Sequence, residues 1–159
     1  MHFALLLLVL LIAASIHVAL MKDRTTPRAA EICLLYILVG YCGVPMLAVS
    51  LWALVSPESV AARFGFGPPG PILAFFSYAY LGMALLSLLT LRYRGSFLIG
   101  PAVVWAVYFG GATLVHFKES GERAAHSHGA VLATFATHGL ITVLLVVGLL
   151  ASGQLSTRE

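Results

Sequence analysis

The side chains best placed to do chemistry in this chain are its six histidines. No Asp, Lys or Arg falls within its long apolar stretches, and Glu31 sits at the end of one. An ionisable group held in hydrocarbon is costly, so those present are the natural candidates for function. His17 lies near the inner end of the first apolar stretch and His116 near the outer end of the fourth. His138 lies some way into the fifth, roughly 13 Å deep at 1.5 Å per residue. A neutral imidazole can ligate haem iron or a transition metal. His116 is therefore the leading candidate cofactor ligand, with His17 and His138 next, and the cofactor is unknown. A histidine hydrogen-bonded between helices is the plainer alternative.

Spacing adds some detail. Ala13 and Ala112 each stand four residues before a histidine, His17 and His116, which leaves room one turn away for a flat pigment or haem. Only His17 is available at the inner side, so a two-haem relay across a membrane fails on count. His116 and His138 are expected to differ in depth by roughly 10 Å, too much for one iron. His126 and His128, with Glu119 and Glu122 nearby, have a spacing that can hold zinc or copper. A solvated polar loop is the simpler reading of the same residues. No nucleophile elbow, phosphate-binding glycine loop or CxxC motif occurs, so no catalytic residue is assigned. Tyr36, Tyr41, Tyr78, Tyr80 and Tyr108 could line a lipid or quinone cleft, or simply pack between helices or at the interface.

These residues must be positioned by membrane helices. Only 9% of the 159 residues are charged, against roughly 25% in a soluble domain. Too few polar groups remain to cover a water-facing surface. Five stretches are long and apolar enough to span a bilayer, at about 3–21, 31–54, 72–91, 97–117 and 130–151. The expectation is an all-α, polytopic membrane helix bundle, folded as one transmembrane domain over 1–159. The first stretch is longer than a signal-peptide core and is followed by Lys22, Arg24 and Arg28, so it reads as a retained span. Gly40, Gly43 and Pro45 lie within the second, and the proline predicts a kink near Tyr41. Ser56 and Pro57 have the pattern of a helix start with a hydroxyl cap. They predict a short interfacial helix carrying Val60, Ala61 and Phe64 on one face, followed by a Gly/Pro turn. Cys33 and Cys42 are about 13 Å apart along one helix, too far for a disulfide, which needs Cα atoms within about 7 Å.

Five spans put the termini on opposite sides. Lys22, Arg24, Arg28, Arg92, Arg94 and Arg158 share one side, and Arg63, Lys118 and Arg123 the other. The basic excess stays cytoplasmic, so the expected orientation is N-terminus outside and C-terminus inside, in the cell inner (plasma) membrane. Ala106, Gly110 and Gly111 give the fourth helix a smooth face for close packing. The net charge of +3 is small and falls in loops. No basic, aromatic-rich polar face is present, so nucleic acid is not an expected partner.

The order of features resembles the DUF6790 family of uncharacterised five-helix membrane proteins. The resemblance is carried by ASIHVAL around His17, Glu31, the Gly40–Gly43 helix, PESVAARFGF, and GGATLVHF around His116. It covers most of the chain. His17 and His116 match the family pattern. Ala53 stands where that pattern has a histidine, and Leu73 and Phe75 where it has a glutamine and a glutamate. A site built on the full polar set is therefore incomplete here, and the resemblance implies architecture more than activity. The leading functional expectation is a non-enzymatic accessory or assembly subunit of a larger membrane complex, with lipid and other membrane proteins as partners. The alternatives are a haem-, pigment- or metal-binding redox protein using His116, and a small-molecule or lipid carrier. The carrier predicts an open cavity between helices two, three and four, reaching the middle of the membrane.

Overall fold

The computed structural model describes residues 2–64, 68–122 and 128–155. Among the described residues all regular structure is helical. In chain order, α1 (His2–Leu20) is followed by α2 (Thr26–Leu35), which continues through a π-helical segment (Tyr36–Gly43) into α3 (Val44–Val55). Then come α4 (Pro57–Phe64), α5 (Pro71–Leu89), a 3-10 turn (Gly95–Leu98) leading into α6 (Ile99–Glu122), and α7 (His128–Ala151).

Four helices are long and apolar enough to cross a membrane: Phe3–Leu20, Thr26–Val55, Pro71–Leu89 and Gly95–Val115. Among the described residues α7 is apolar over Thr137–Ala151, a shorter stretch. The outward faces carry large apolar side chains, with Leu20, Val55, Ile72, Phe75 and Val107 each 70% or more exposed. Apolar surface on this scale is placed in lipid rather than water.

The centre of the second span is π-helical at the place where the kink is expected. Proline at position 45 has no N–H, and its ring would clash with the carbonyl four residues back. The chain answers by widening one segment. Tyr36–Gly43 is π-helical, and the Val44 N–H bonds to the Val39 carbonyl, five residues back. Tyr41, Cys42 and Gly43 within it are all buried.

The core gathers around this segment. Tyr41, Leu34, Leu38, Leu98, Trp105, Phe109, Ile141 and Leu145 are almost wholly inaccessible. Trp105 stacks on Phe109 with ring centroids 5.5 Å apart, and Phe109 meets Tyr41 edge-on at 5.9 Å. The Trp105 Nε1 donates to Ser87 Oγ at 2.7 Å, so α6 is tied to α5 by a buried polar bond. Close approach needs small residues at two points. A Cβ on Gly43 would stand 2.9 Å from Leu88, and one on Gly40 would overlap the end of the Leu10 side chain.

α6 and α7 form an antiparallel pair. A Cβ on Gly110 would stand 3.6 Å from Thr142, and one on Gly139 3.8 Å from Thr113. α7 is closed by Gly153, whose φ of +70° is the left-handed conformation that ends helices. The expected interfacial helix is present as α4, with Val60 and Ala61 buried. The Phe64 side chain lies outside the described residues. The Ser56 hydroxyl meets the Ser59 hydroxyl at 2.5 Å rather than capping the backbone. Cys33 and Cys42 are both free thiols.

Candidate functional site

A cavity of this bundle is lined by residues of α3, α4 and α5. α3 contributes Val49, Ser50 and Ala53, the first two lying four and three residues before Ala53 and so on its side of the helix. α5 contributes Leu73, Phe76, Ser77 and Tyr80, the i, i+3, i+4, i+7 stripe of a single helix face. Val60 of α4 and the turn Pro68–Pro69–Gly70 border one end, and Tyr108 of α6 reaches in from the core. The volume is about 540 Å³, within the usual 300–1,000 Å³ of small-molecule sites.

Local sequence explains why the space exists. Pro71 starts α5 directly after Gly70, which is extended. Three prolines and a glycine in four residues cannot continue a helix, so α5 begins abruptly beside α4. α3 ends at Ser56, whose N–H still bonds the Trp52 carbonyl at 2.8 Å. Tyr80 lies about 14 Å along α5 from Pro71, roughly half of a 30 Å hydrocarbon core.

The polar lining is made of hydroxyls: Ser50, Ser77, Tyr80 and Tyr108. Ser77 Oγ donates to the Leu73 carbonyl at 2.7 Å. Tyr80 and Tyr108 meet edge-on at 5.2 Å, and Phe76 stacks near Tyr80 at 6.3 Å. Ser50 is 2% exposed, and its hydroxyl has no hydrogen-bond partner among the described residues. No acidic or basic side chain is among the lining residues. Ala53 and Leu73, two of the three positions where the chain departs from the pattern it resembles, both line this cavity. Phe75, the third, is 72% exposed and on another face of α5.

The candidate residues read from sequence distribute differently. Of the five tyrosines, Tyr80 and Tyr108 line the cavity. Tyr41 is in the core, Tyr78 is exposed, and Tyr36 accompanies His17. His17 is exposed on α1, and its Nδ1 is 3.2 Å from the Tyr36 hydroxyl. The His138 ring lies 5.3 Å from the Phe109 ring. His116 is in α6 and His128 opens α7, but both side chains, like His126 altogether, lie outside the described residues.

One spacing changes. The facing pairs Gly110–Thr142 and Thr113–Gly139 put position 116 level with position 136. The backbone of His138 is then about 3 Å from the level of His116, not 10 Å. Helix ends misled the estimate, because α6 runs on to Glu122 and α7 already begins at His128. Sequence reasoning gave no role to Ser50 or Ser87, since a lone serine in an apolar helix carries no spacing signal.

A family model described as a family of unknown function, DUF6790, matches residues 1–158. No curated protein and no solved structure matches the chain.

Proposed function

The chain belongs to the DUF6790 family, and we propose that it is a non-enzymatic integral membrane protein that binds an uncharged, largely apolar small molecule drawn from the bilayer. One observation carries this reading: a cavity of about 540 Å³, apolar but for hydroxyls, between helices that face lipid. A charged ligand would find no counter-charge there and would be left desolvated. An apolar one gains roughly 25 cal/mol per Å² buried where water is displaced. The chain works as a single transmembrane domain of five helices, α7 being the fifth.

Filling the cavity tests the proposal. Ala53 is 5% exposed and lines the space, so Ala53→Trp occupies it from within. The purified variant should keep its unfolding midpoint and lose affinity for lipid-soluble probes at least about tenfold. Equal affinity in variant and wild type would rule the cavity out as the binding site.

Small size and short loops also support a role as accessory subunit of a larger membrane complex, and crosslinking in mild detergent tests it. The α6–α7 register favours a second reading, in which His116 and His138 approach one cofactor such as haem. An absorbance spectrum of the purified protein decides that, and elemental analysis does so for a metal held by His126 and His128. The basic residues flanking the spans support an N-terminus outside and a C-terminus in the cytoplasm of a cell's inner (plasma) membrane. A C-terminal fluorescent fusion that stays dark would reverse that orientation.

A further inference from the structure

We propose that the ligand of this cavity is a neutral lipid-soluble molecule bearing a carbonyl oxygen, and that the Ser50 hydroxyl donates the hydrogen bond that selects it. This deepens the reading above and rests on it.

The inference starts from how hydroxyls in this bundle are used. In lipid, a serine or threonine on a helix has no water to bond and turns back to the carbonyl one turn earlier. Ser15 bonds the Leu11 carbonyl at 2.8 Å, Ser77 that of Leu73 and Ser87 that of Met83 at 3.1 Å. Thr113 bonds Phe109 at 2.7 Å, and Thr142 bonds His138 at 2.9 Å. Ser50 breaks the pattern. It is the same kind of residue on the same kind of helix, 2% exposed, and its Oγ bonds neither Met46 nor any other described group. A buried hydroxyl left without a partner costs about 1–3 kcal/mol. Ser50 bears that cost in the wall of the cavity.

The surrounding chemistry defines what would satisfy it. Every polar side chain in the lining is a hydroxyl, and each hydroxyl carries one proton to donate. The Ser77 proton is spent on Leu73, and the Ser50 proton is not. The complement of an uncommitted donor in an uncharged wall is a neutral acceptor, and the commonest such group on a membrane-soluble molecule is a carbonyl. Apolar side chains, Val49, Ala53, Val60 and Leu73 among them, would take the rest of the molecule. Two sources share this chemistry: the ring carbonyl of a quinone, and the ester carbonyl of an acyl lipid.

The test is calorimetric titration of the full chain in non-ionic detergent with three probes. Decyl-benzoquinone carries a ring carbonyl, methyl palmitate an ester carbonyl, and decylbenzene none. Wild type should bind one or both carbonyl probes more tightly than decylbenzene. Ser50→Ala should weaken the carbonyl probes roughly three- to tenfold, the worth of one hydrogen bond, and leave decylbenzene unchanged. Ser50→Thr, which keeps a hydroxyl, should restore most of the difference. Ser15→Ala, on α1 and outside the cavity lining, should weaken neither carbonyl probe. Preference for the quinone or for the ester identifies the source. If all three probes bind and Ser50→Ala treats them alike, the role of Ser50 is wrong while the cavity reading survives. If wild type binds none, both fall together.

Discussion

At the scale of single residues, the fold is held at its centre by one polar bond in an apolar setting. Trp105 is fully buried, and its Nε1 proton goes to Ser87 Oγ, whose own proton goes to the Met83 carbonyl. The two partners are not equivalent when removed. Ser87→Ala leaves a buried indole N–H with no acceptor and should cost about 1–3 kcal/mol. Trp105→Phe removes donor and ring volume together, leaving Ser87 satisfied by Met83. Its cost comes from lost packing against Phe109 and Tyr108, which Trp105 meets at 5.5 and 5.6 Å. In the double variant the two effects should not add, because no N–H remains to be orphaned. Thermal unfolding of the four proteins in one detergent measures this, and strict additivity would show that the bond contributes nothing. The chain thus has two serines of contrasting use: Ser87 completes the core, and Ser50 is left without a partner in the wall of the cavity.

Between elements, the second span passes close to α1 and α5 at two glycines. Gly40 lies against Leu10, and Gly43 against Leu88. Replacing Gly40 by alanine sets two terms against each other. The better helix propensity of alanine contributes about 1 kcal/mol, and overpacking costs about 1–3 kcal/mol. The clash should win, so Gly40→Ala is destabilising in the wild-type background. Leu10→Ala removes the obstructing atoms, and in that background Gly40→Ala should become stabilising by about 1 kcal/mol. A sign change in the unfolding midpoint reports the contact, and the same sign in both backgrounds would refute it. The π-helical segment has a related origin. Pro45 was legible in the sequence as a perturbation. Its form, a widened turn that keeps Tyr41 and Cys42 facing the core, depended on what packs around it.

Taken whole, the molecule is an apolar bundle whose polar groups, among the described residues, are few and mostly paired. Its outer surface is so apolar that it should remain with the membrane pellet after alkaline carbonate washing and enter solution only with detergent. Release by carbonate alone would mean that the exposed faces of α1 and α5 are covered by protein rather than lipid. The same surface makes lipid the reservoir from which the cavity would be filled, since α3 and α5 both line the cavity and face outward.

The sequence by itself determined the solvent and the elements. Long apolar runs free of charge admit only helices in a bilayer, because each backbone group must find its partner within its own segment. That local rule made the spans, the α4 helix and the irregular Gly/Pro turn readable before any tertiary contact was known. It could not say which faces meet. Whether Tyr80 and Tyr108 converge while Tyr78 points outward depends on the rotation of α5 against α6. The level of His138 relative to His116 depends on the register of two antiparallel helices. A serine at position 50 is unremarkable until α3, α5 and the proline turn enclose it. Those are properties of packing between distant segments, and in an alanine- and leucine-rich chain many rotations look alike from composition. Only the tertiary structure chose among them, through the few positions, Gly40, Gly43 and Trp105 chief among them, where shape or a hydrogen bond permits one arrangement.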